Sequence, residues 1–284
     1  MAQKGRGIFM VYVDIDAQHV QEFNKWYNKE HLPELLSVPG ILSAARYEAV
    51  KGGPQYLACY ELESVAVMQT PAFTNRPRTP WGQKVSPSVI GKNLTRIVGE
   101  QIYPDGIEMP ERGMAPVLQI GRMSVPAEVD AEWNAWYSRE YVPGYRKVPG
   151  VIYARRYRVL EGTSGYSTVY EFASTAVPES PEWKEQQQHS SPNSPRMRQA
   201  MTHAPGSAGV YVRVNPSSPG YALRYLAVGG CRRTAEPMTA FGSEGSIGLA
   251  LASVTGLLIQ PGREKQCSAV PVTFQTSCAC NVPA

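Results

Sequence analysis

Phe23-Asn24-Lys25-Trp26-Tyr27-Asn28-Lys29-Glu30-His31-Leu32-Pro33 returns later in the chain as Trp133-Asn134-Ala135-Trp136-Tyr137-Ser138-Arg139-Glu140-Tyr141-Val142-Pro143. The same offset carries Ser37-Val38-Pro39-Gly40-Ile41 onto Lys147-Val148-Pro149-Gly150-Val151, Ala45-Arg46-Tyr47 onto Arg155-Arg156-Tyr157, and Tyr60-Glu61-Leu62 onto Tyr170-Glu171-Phe172. A match this long at one spacing makes the chain a tandem repeat, and the fold follows from one copy. Later matches, such as Trp81 with Trp183, need a short gap, as expected where loops differ in length.

Within a copy, 8–16 is rich in β-branched and aromatic residues and reads as a strand. Residues 17–37 carry helical spacing, with Val20, Phe23, Tyr27 and His31 on one stripe and Pro33 set to kink or end it. Val38-Pro39-Gly40 is a stop signal. Strands are predicted over 41–50 and 55–62, joined by the hairpin connection Lys51-Gly52-Gly53-Pro54. A short helix over 64–69, a Pro-rich excursion through Trp81 and a last strand near 93–103 complete the unit. The order β-α-β-β-α-β is the split ferredoxin-like unit, whose antiparallel sheet has helices on one face and leaves the other bare. Two tandem units predict an α+β fold in which the bare faces cover each other, giving a dimeric-α+β-barrel-type domain pair. The expected boundaries are 1–103, a linker at 104–115, 116–215, and a loosely attached tail at 216–284 that matches neither copy.

The chain has 284 residues, 43% hydrophobic and 18% charged, a globular balance with room for two ordinary domains. The net charge of +4 is spread without a basic cluster, which gives no footprint for nucleic acid. No run reaches the length of a membrane span, and the N-terminus lacks the layout of a signal peptide, so a cytoplasmic protein with no membrane partner is expected. Five cysteines, four of them after residue 230, do not form a disulfide framework. A homo-oligomer is compatible with these properties.

Trp26-Tyr27-Asn28-Lys29-Glu30-His31-Leu32-Pro33, with Val38-Pro39-Gly40-Ile41 and the Arg46-Tyr47 strand, resembles the dimeric α+β barrel superfamily, and within it EthD-like proteins. The likeness spans residues 7 to about 215, once per copy. It implies the fold and a histidine of this motif at a cavity wall. It leaves function open, since the superfamily includes cofactor-free monooxygenases, lactone isomerases, polyketide cyclases and haem-dependent peroxidases.

His31 is the candidate acid or base, because an imidazole turned toward the sheet titrates near neutrality. The alternative is a helix-end histidine bonded to a carbonyl or oriented by Glu30. The second copy has Tyr141 in its place, as if one cavity works and the other is scaffold, although drift gives the same pattern. Sixteen tyrosines against six phenylalanines suggest a cavity lined with hydroxyls. Tyr12, Tyr27, Tyr47, Tyr56 and Tyr60 are its candidate substrate-binding residues, together with Arg46. Arg46 and Arg156 also suit cross-strand pairing with Glu61 and Glu171. Asp14 and Asp16 stand where they can cap the following helix. Neither metal-ligand spacing nor a phosphate loop is present, and no cofactor is expected; a haem in the second copy would need His189 or His203 as its ligand. The expected function is a cofactor-independent lyase, isomerase or cyclase acting by proton transfer on a small hydrophobic, oxygenated, aromatic or polyketide-like compound. A non-catalytic binding or assembly protein built on the same barrel is the alternative.

Overall fold

The computed structural model describes residues 4–188 and 191–215. The chain opens with β1 (Gly7–Ile15), then α1 (Val20–Trp26), a π-helical turn (Tyr27–His31) and α2 (Leu32–Leu36). β2 (Ile41–Lys51) and β3 (Tyr56–Leu62) form a hairpin. A 3-10 turn (Val65–Gln69) leads into three short helices, α3 (Pro71–Thr74), α4 (Gly82–Val85) and α5 (Pro87–Ile90), and then β4 (Gly91–Tyr103). The second half has β5 (Val117–Ser124), α6 (Asp130–Trp136), a π-helical turn (Tyr137–Tyr141), α7 (Val142–Arg146), β6 (Val151–Glu161) and β7 (Tyr166–Phe172). It ends with a 3-10 turn (Val177–Glu179), α8 (Pro181–Gln188), α9 (Ser194–Ala200), the two-residue β8 (Thr202–His203) and β9 (Gly209–Asn215). The expectations for 216–284 lie outside the described residues.

All pairings are antiparallel. The strands run β7-β6-β4-β1-β3-β2-β9-β5, and β5 returns to pair with β7, so eight strands close a barrel. The short β8 adds to β5 outside the ring. Two junctions join the halves, β4 with β6 and β2 with β9. The sheets are therefore more than two facing layers: their edges are bonded to each other, which removes the exposed edges that an open sheet would leave. Each half keeps its own core between sheet and helices, Phe9, Phe23, Tyr27 and Tyr60 in the first and Trp133, Tyr145, Tyr170 and Trp183 in the second. A third core fills the barrel from both halves, with Met10, Tyr12, Tyr47 and Leu57 meeting Leu118, Ile120, Tyr157 and Tyr211. With helices outside and this core inside, every residue of β3 and β7 is buried.

A charge cluster lies inside the barrel. Arg155 donates to both Glu61 oxygens and lies 3.5 Å from Glu171, while Lys4 donates to Glu171 at 2.6 Å and lies 4.0 Å from Glu61. All four are nearly inaccessible to solvent, so two cations and two carboxylates balance where no water is at hand. The expected pairing of Arg46 with Glu61 is overturned by register. Ser43 faces Glu61 and Arg46 faces Ala58, so the two side chains leave the sheet on opposite faces. Arg46 bonds the Asn24 and Asn28 side chains at 2.7 and 2.8 Å, and Arg156 likewise bonds Asn134 and Ser138. Asp14 and Asp16 do not cap α1. Asp14 accepts from the Gln55 backbone and the Asn93 amide, and Asp16 pairs with Lys92, because α1 starts only after His19.

Candidate functional site

Pro33 has no N–H, and its ring crowds the carbonyl four residues back, so a regular α-helix cannot run through it unchanged. The chain absorbs the conflict one turn earlier. Tyr27–His31 widens into a π turn, closed by the Leu32 N–H to the Tyr27 carbonyl, and α2 continues beyond. The wider turn brings residues five apart together. The His31 ring stacks on Trp26 at 4.5 Å with 16° between planes, and meets the Tyr27 ring edge-on at 5.0 Å.

His31 Nδ1 lies 3.2 Å from Glu34 Oε2. The hydrogen bond from His31 is the largest influence on that carboxyl and holds it below its usual value; partial burial opposes this, and the charges of His31 and Arg76 add to the lowering. The expected orienting partner, Glu30, is engaged elsewhere, accepting from Trp26 Nε1 at 2.8 Å and from the Thr79 hydroxyl. Helix geometry gives the reason: neighbours one apart point in different directions, whereas residues three apart share a face.

These side chains wall a cleft of about 390 Å³ on the helix-bearing face of the first half. Its floor comes from β1 and β4, with Phe9, Val11, Leu94 and Arg96. The first wall is the kinked helix, and the second is the α3–α5 excursion with Phe73, Arg76, Arg78 and Thr79. Side-chain bonds pin the excursion to the helix. Glu30 takes the Thr79 hydroxyl, Trp81 Nε1 donates to Glu22 at 2.8 Å, and Arg76 Nε lies 3.3 Å from Glu34. Gly82 packs against Thr79 and Trp26, where a Cβ would sit 3.2 Å from the Thr79 hydroxyl and 3.4 Å from the indole.

Of the candidate residues, His31 and Tyr27 line this cleft. Tyr60 stands one bond behind, its hydroxyl donating to that of Tyr27 at 3.3 Å. Tyr56 packs on Phe23 at 5.5 Å within the same core, and Arg46 is buried beneath the Tyr27 ring at 4.4 Å. Tyr12 and Tyr47 point the other way. They fill the barrel, where Tyr12 donates to the Met10 sulfur and Tyr47 to the Ala115 carbonyl. Strand alternation separates them from Tyr56 and Tyr60, so the tyrosines divide between two faces instead of lining one cavity. None of Tyr12, Tyr47, Tyr56 and Tyr60 supplies a hydroxyl to His31 among the described contacts; Glu34 is its hydrogen-bond partner.

Sequence reasoning missed Glu34, Arg76, Arg78 and Arg96. The His31-x-x-Glu34 spacing was a readable signal for the first. The arginines come from an aperiodic excursion and a distant strand, and only folding brings them together.

The second half packs aromatic rings in the matching region. Tyr141 and Tyr145 replace His31 and Leu35, and Trp183 packs on Tyr145 at 4.4 Å, Phe172 at 5.0 Å and Tyr170 at 5.2 Å. Of the two histidines named as possible haem ligands, His203 lies on β8 paired with Met123, and His189 lies outside the described residues. Among the described residues, no three His, Cys, Asp or Glu side chains gather as a metal-ligand set. No helix among them is long and apolar enough to cross a membrane.

A family model described as a domain of unknown function (DUF4286) matches residues 6–72, which hold β1, the kinked helix and the following hairpin. Comparison with curated proteins returns no match. Among solved structures, an anthrone oxidase-like protein is similar at 13% identity and a TM-score of 0.50, over 73% of this chain and 90% of that one. A proposed chlorite dismutase is similar at 12% identity and a TM-score of 0.51, over 75% of this chain and 96% of that one. The likeness is one of fold: this chain has a chlorite dismutase-like α+β barrel architecture of the dimeric-barrel type.

Proposed function

We propose that the chain is a cofactor-independent enzyme of the lyase, isomerase or cyclase type, acting by proton transfer on a small hydrophobic, oxygenated compound held in the first-half cleft. The observation that carries this reading is the His31–Glu34 pair at the wall of the cleft. A carboxylate on Nδ1 fixes the imidazole tautomer and steadies the imidazolium, leaving Nε2 to take a proton from the substrate and return it at another atom. Trp26 and Phe9 contribute apolar lining that an aromatic or polyketide-like body would meet. The fold likeness to an anthrone oxidase-like protein and a proposed chlorite dismutase supports an enzyme on this scaffold and says nothing of the reaction.

The same reading takes the chain as an EthD-like tandem duplication in which one copy kept its cleft. In support, both halves place a π turn before the motif proline and a positive-φ glycine before the second strand, Gly40 at 88° and Gly150 at 86°. The alternative, a non-catalytic binding protein, draws on the filled barrel, whose interior side chains leave the cleft outside as the place for a ligand. Turnover of a panel of aromatic keto-enol and hydroxy-acid compounds by wild type and His31→Gln separates the two. Turnover that survives the substitution removes His31 from the chemistry, and binding without turnover by wild type selects the alternative.

A further inference from the structure

Arg76, Arg78 and Arg96 line the cleft against one carboxylate, Glu34, among the described residues. They come from separate places, two from the loop between α3 and α4 and one from β4. Arg76 is already engaged: Nε lies 3.3 Å from Glu34, Nη1 donates to the Phe73 carbonyl, and the guanidinium sits 3.9 Å above the Phe73 ring. Arg78 and Arg96 form no ion pair among the described residues. Arg96 lies 5.2 Å from the Phe9 ring centre, which puts an uncompensated cation over the apolar floor. Burial lowers the Arg76 pKa most, Glu34 opposes this, and the Arg96 charge adds a smaller lowering, as two like-charged guanidinium groups lining one cleft repel each other. With three arginines and one glutamate, the wall is positive whatever the state of His31.

We propose that the cleft selects a hydrophobic organic anion, its carboxylate or enolate oxygens meeting Arg96 and Arg78 while its apolar body lies on Phe9 and Phe73. This deepens the proposed function and rests on the same cleft as the binding site. A guanidinium fork matches the two oxygens of a carboxylate, and an anion placed there relieves the repulsion between Arg76 and Arg96. In the second half Trp183 packs on Tyr145 at 4.4 Å in the corresponding region, and the anion belongs to the first half, one per chain.

The test is calorimetric titration of the full chain with 2-naphthoate and with the neutral 2-naphthalenemethanol. Naphthoate is expected to bind at one site per chain, about tenfold or more tighter than the alcohol, and more weakly as salt rises. Arg96→Gln and Arg78→Gln should each weaken naphthoate by roughly five- to tenfold without changing the alcohol, and Arg96→Lys should recover only part of that loss, because an ammonium keeps the charge but lacks the fork. Both arginines are exposed, so neither variant threatens the fold. Equal affinity for acid and alcohol, or naphthoate binding indifferent to both arginines, overturns the anion assignment and leaves the cleft as a neutral-ligand site. Failure of both probes to bind overturns it too. Arginine-dependent naphthoate binding alongside unchanged turnover in His31→Gln upholds the anion site and removes only the proton-transfer reading.

Discussion

At the scale of single residues, the site turns on a carboxylate three positions after a histidine. Substituting His31→Gln keeps size and some hydrogen bonding but removes the proton-accepting imidazole, so turnover should fall by about 10²-fold with folding intact. Glu34→Gln should lower turnover less, since the base survives and loses only its orienting charge. The same pair predicts a pH signature. The folded Glu34 carboxyl sits below its ordinary 4.5, so its stabilising effect is fully present above that pH and is lost as pH falls through the lowered value. Thermal melts at a series of pH values should therefore show a gap between wild type and Glu34→Gln that shrinks as the solution is made more acid than 4.5. A gap independent of pH would mean that the carboxylate is not coupled to folding. His31 was legible in the sequence because helical spacing gives a direction to a side chain. Its partners were less so: Glu34 needed only the i, i+3 rule, but Arg96 reaches the cleft through strand pairing, which no local pattern reports.

Elements were largely readable, and where they were not, a backbone conflict or a lack of periodicity is the cause. The strands expected over 8–16, 41–50, 55–62 and 93–103 run Gly7–Ile15, Ile41–Lys51, Tyr56–Leu62 and Gly91–Tyr103. Pro33 signalled a kink, but the widening falls before it, at Tyr27–His31, because the proline clashes with a carbonyl behind it. The excursion at 71–90 holds three four-residue helices, too short to leave a hydrophobic stripe. Val38-Pro39-Gly40 did stop the helix, and the geometry gives the reason for the glycine. Gly40 has φ 88°, and a Cβ there would lie 2.5 Å from Val67; Gly150 repeats this with φ 86° and Val177 at 2.6 Å. Gly40→Ala and Gly150→Ala should each destabilise by about 1–3 kcal/mol, lowering the melting midpoint by roughly 2–4 °C per kcal/mol. Because the two environments match, the two losses should be similar. A neutral result at either would mean that the turn relaxes without cost.

At the scale of the whole molecule, the repeat announced two sheets in need of cover, and covering faces alone leaves their edges open. The edge pairings β4–β6 and β2–β9 involve residues far apart in sequence, and nothing local encodes them; closure is a property of two complete sheets meeting. The buried charge cluster belongs to this scale as well. Its members come from the N-terminal segment, β3, β6 and β7, and the halves differ here, with Ala45 where the second has Arg155. Arg155 thus bonds across the barrel between halves, gripping Glu61 of the first and approaching Glu171 of the second, as Lys4 of the first half does in donating to Glu171. Arg155→Met removes one cation and leaves two buried carboxylates sharing Lys4, a change that should cost about 3–5 kcal/mol. In thermal denaturation that corresponds to a drop of roughly 6–20 °C for a body of this size. Arg155→Met with Glu61→Leu removes a cation and an anion together, so Lys4 and Glu171 remain as a balanced pair, and most of the lost midpoint should return. The comparison separates charge from packing. If the double variant melts no higher than Arg155→Met, the loss comes from the missing guanidinium's volume in the barrel core, and the balance of charge across the two halves is not what holds it closed.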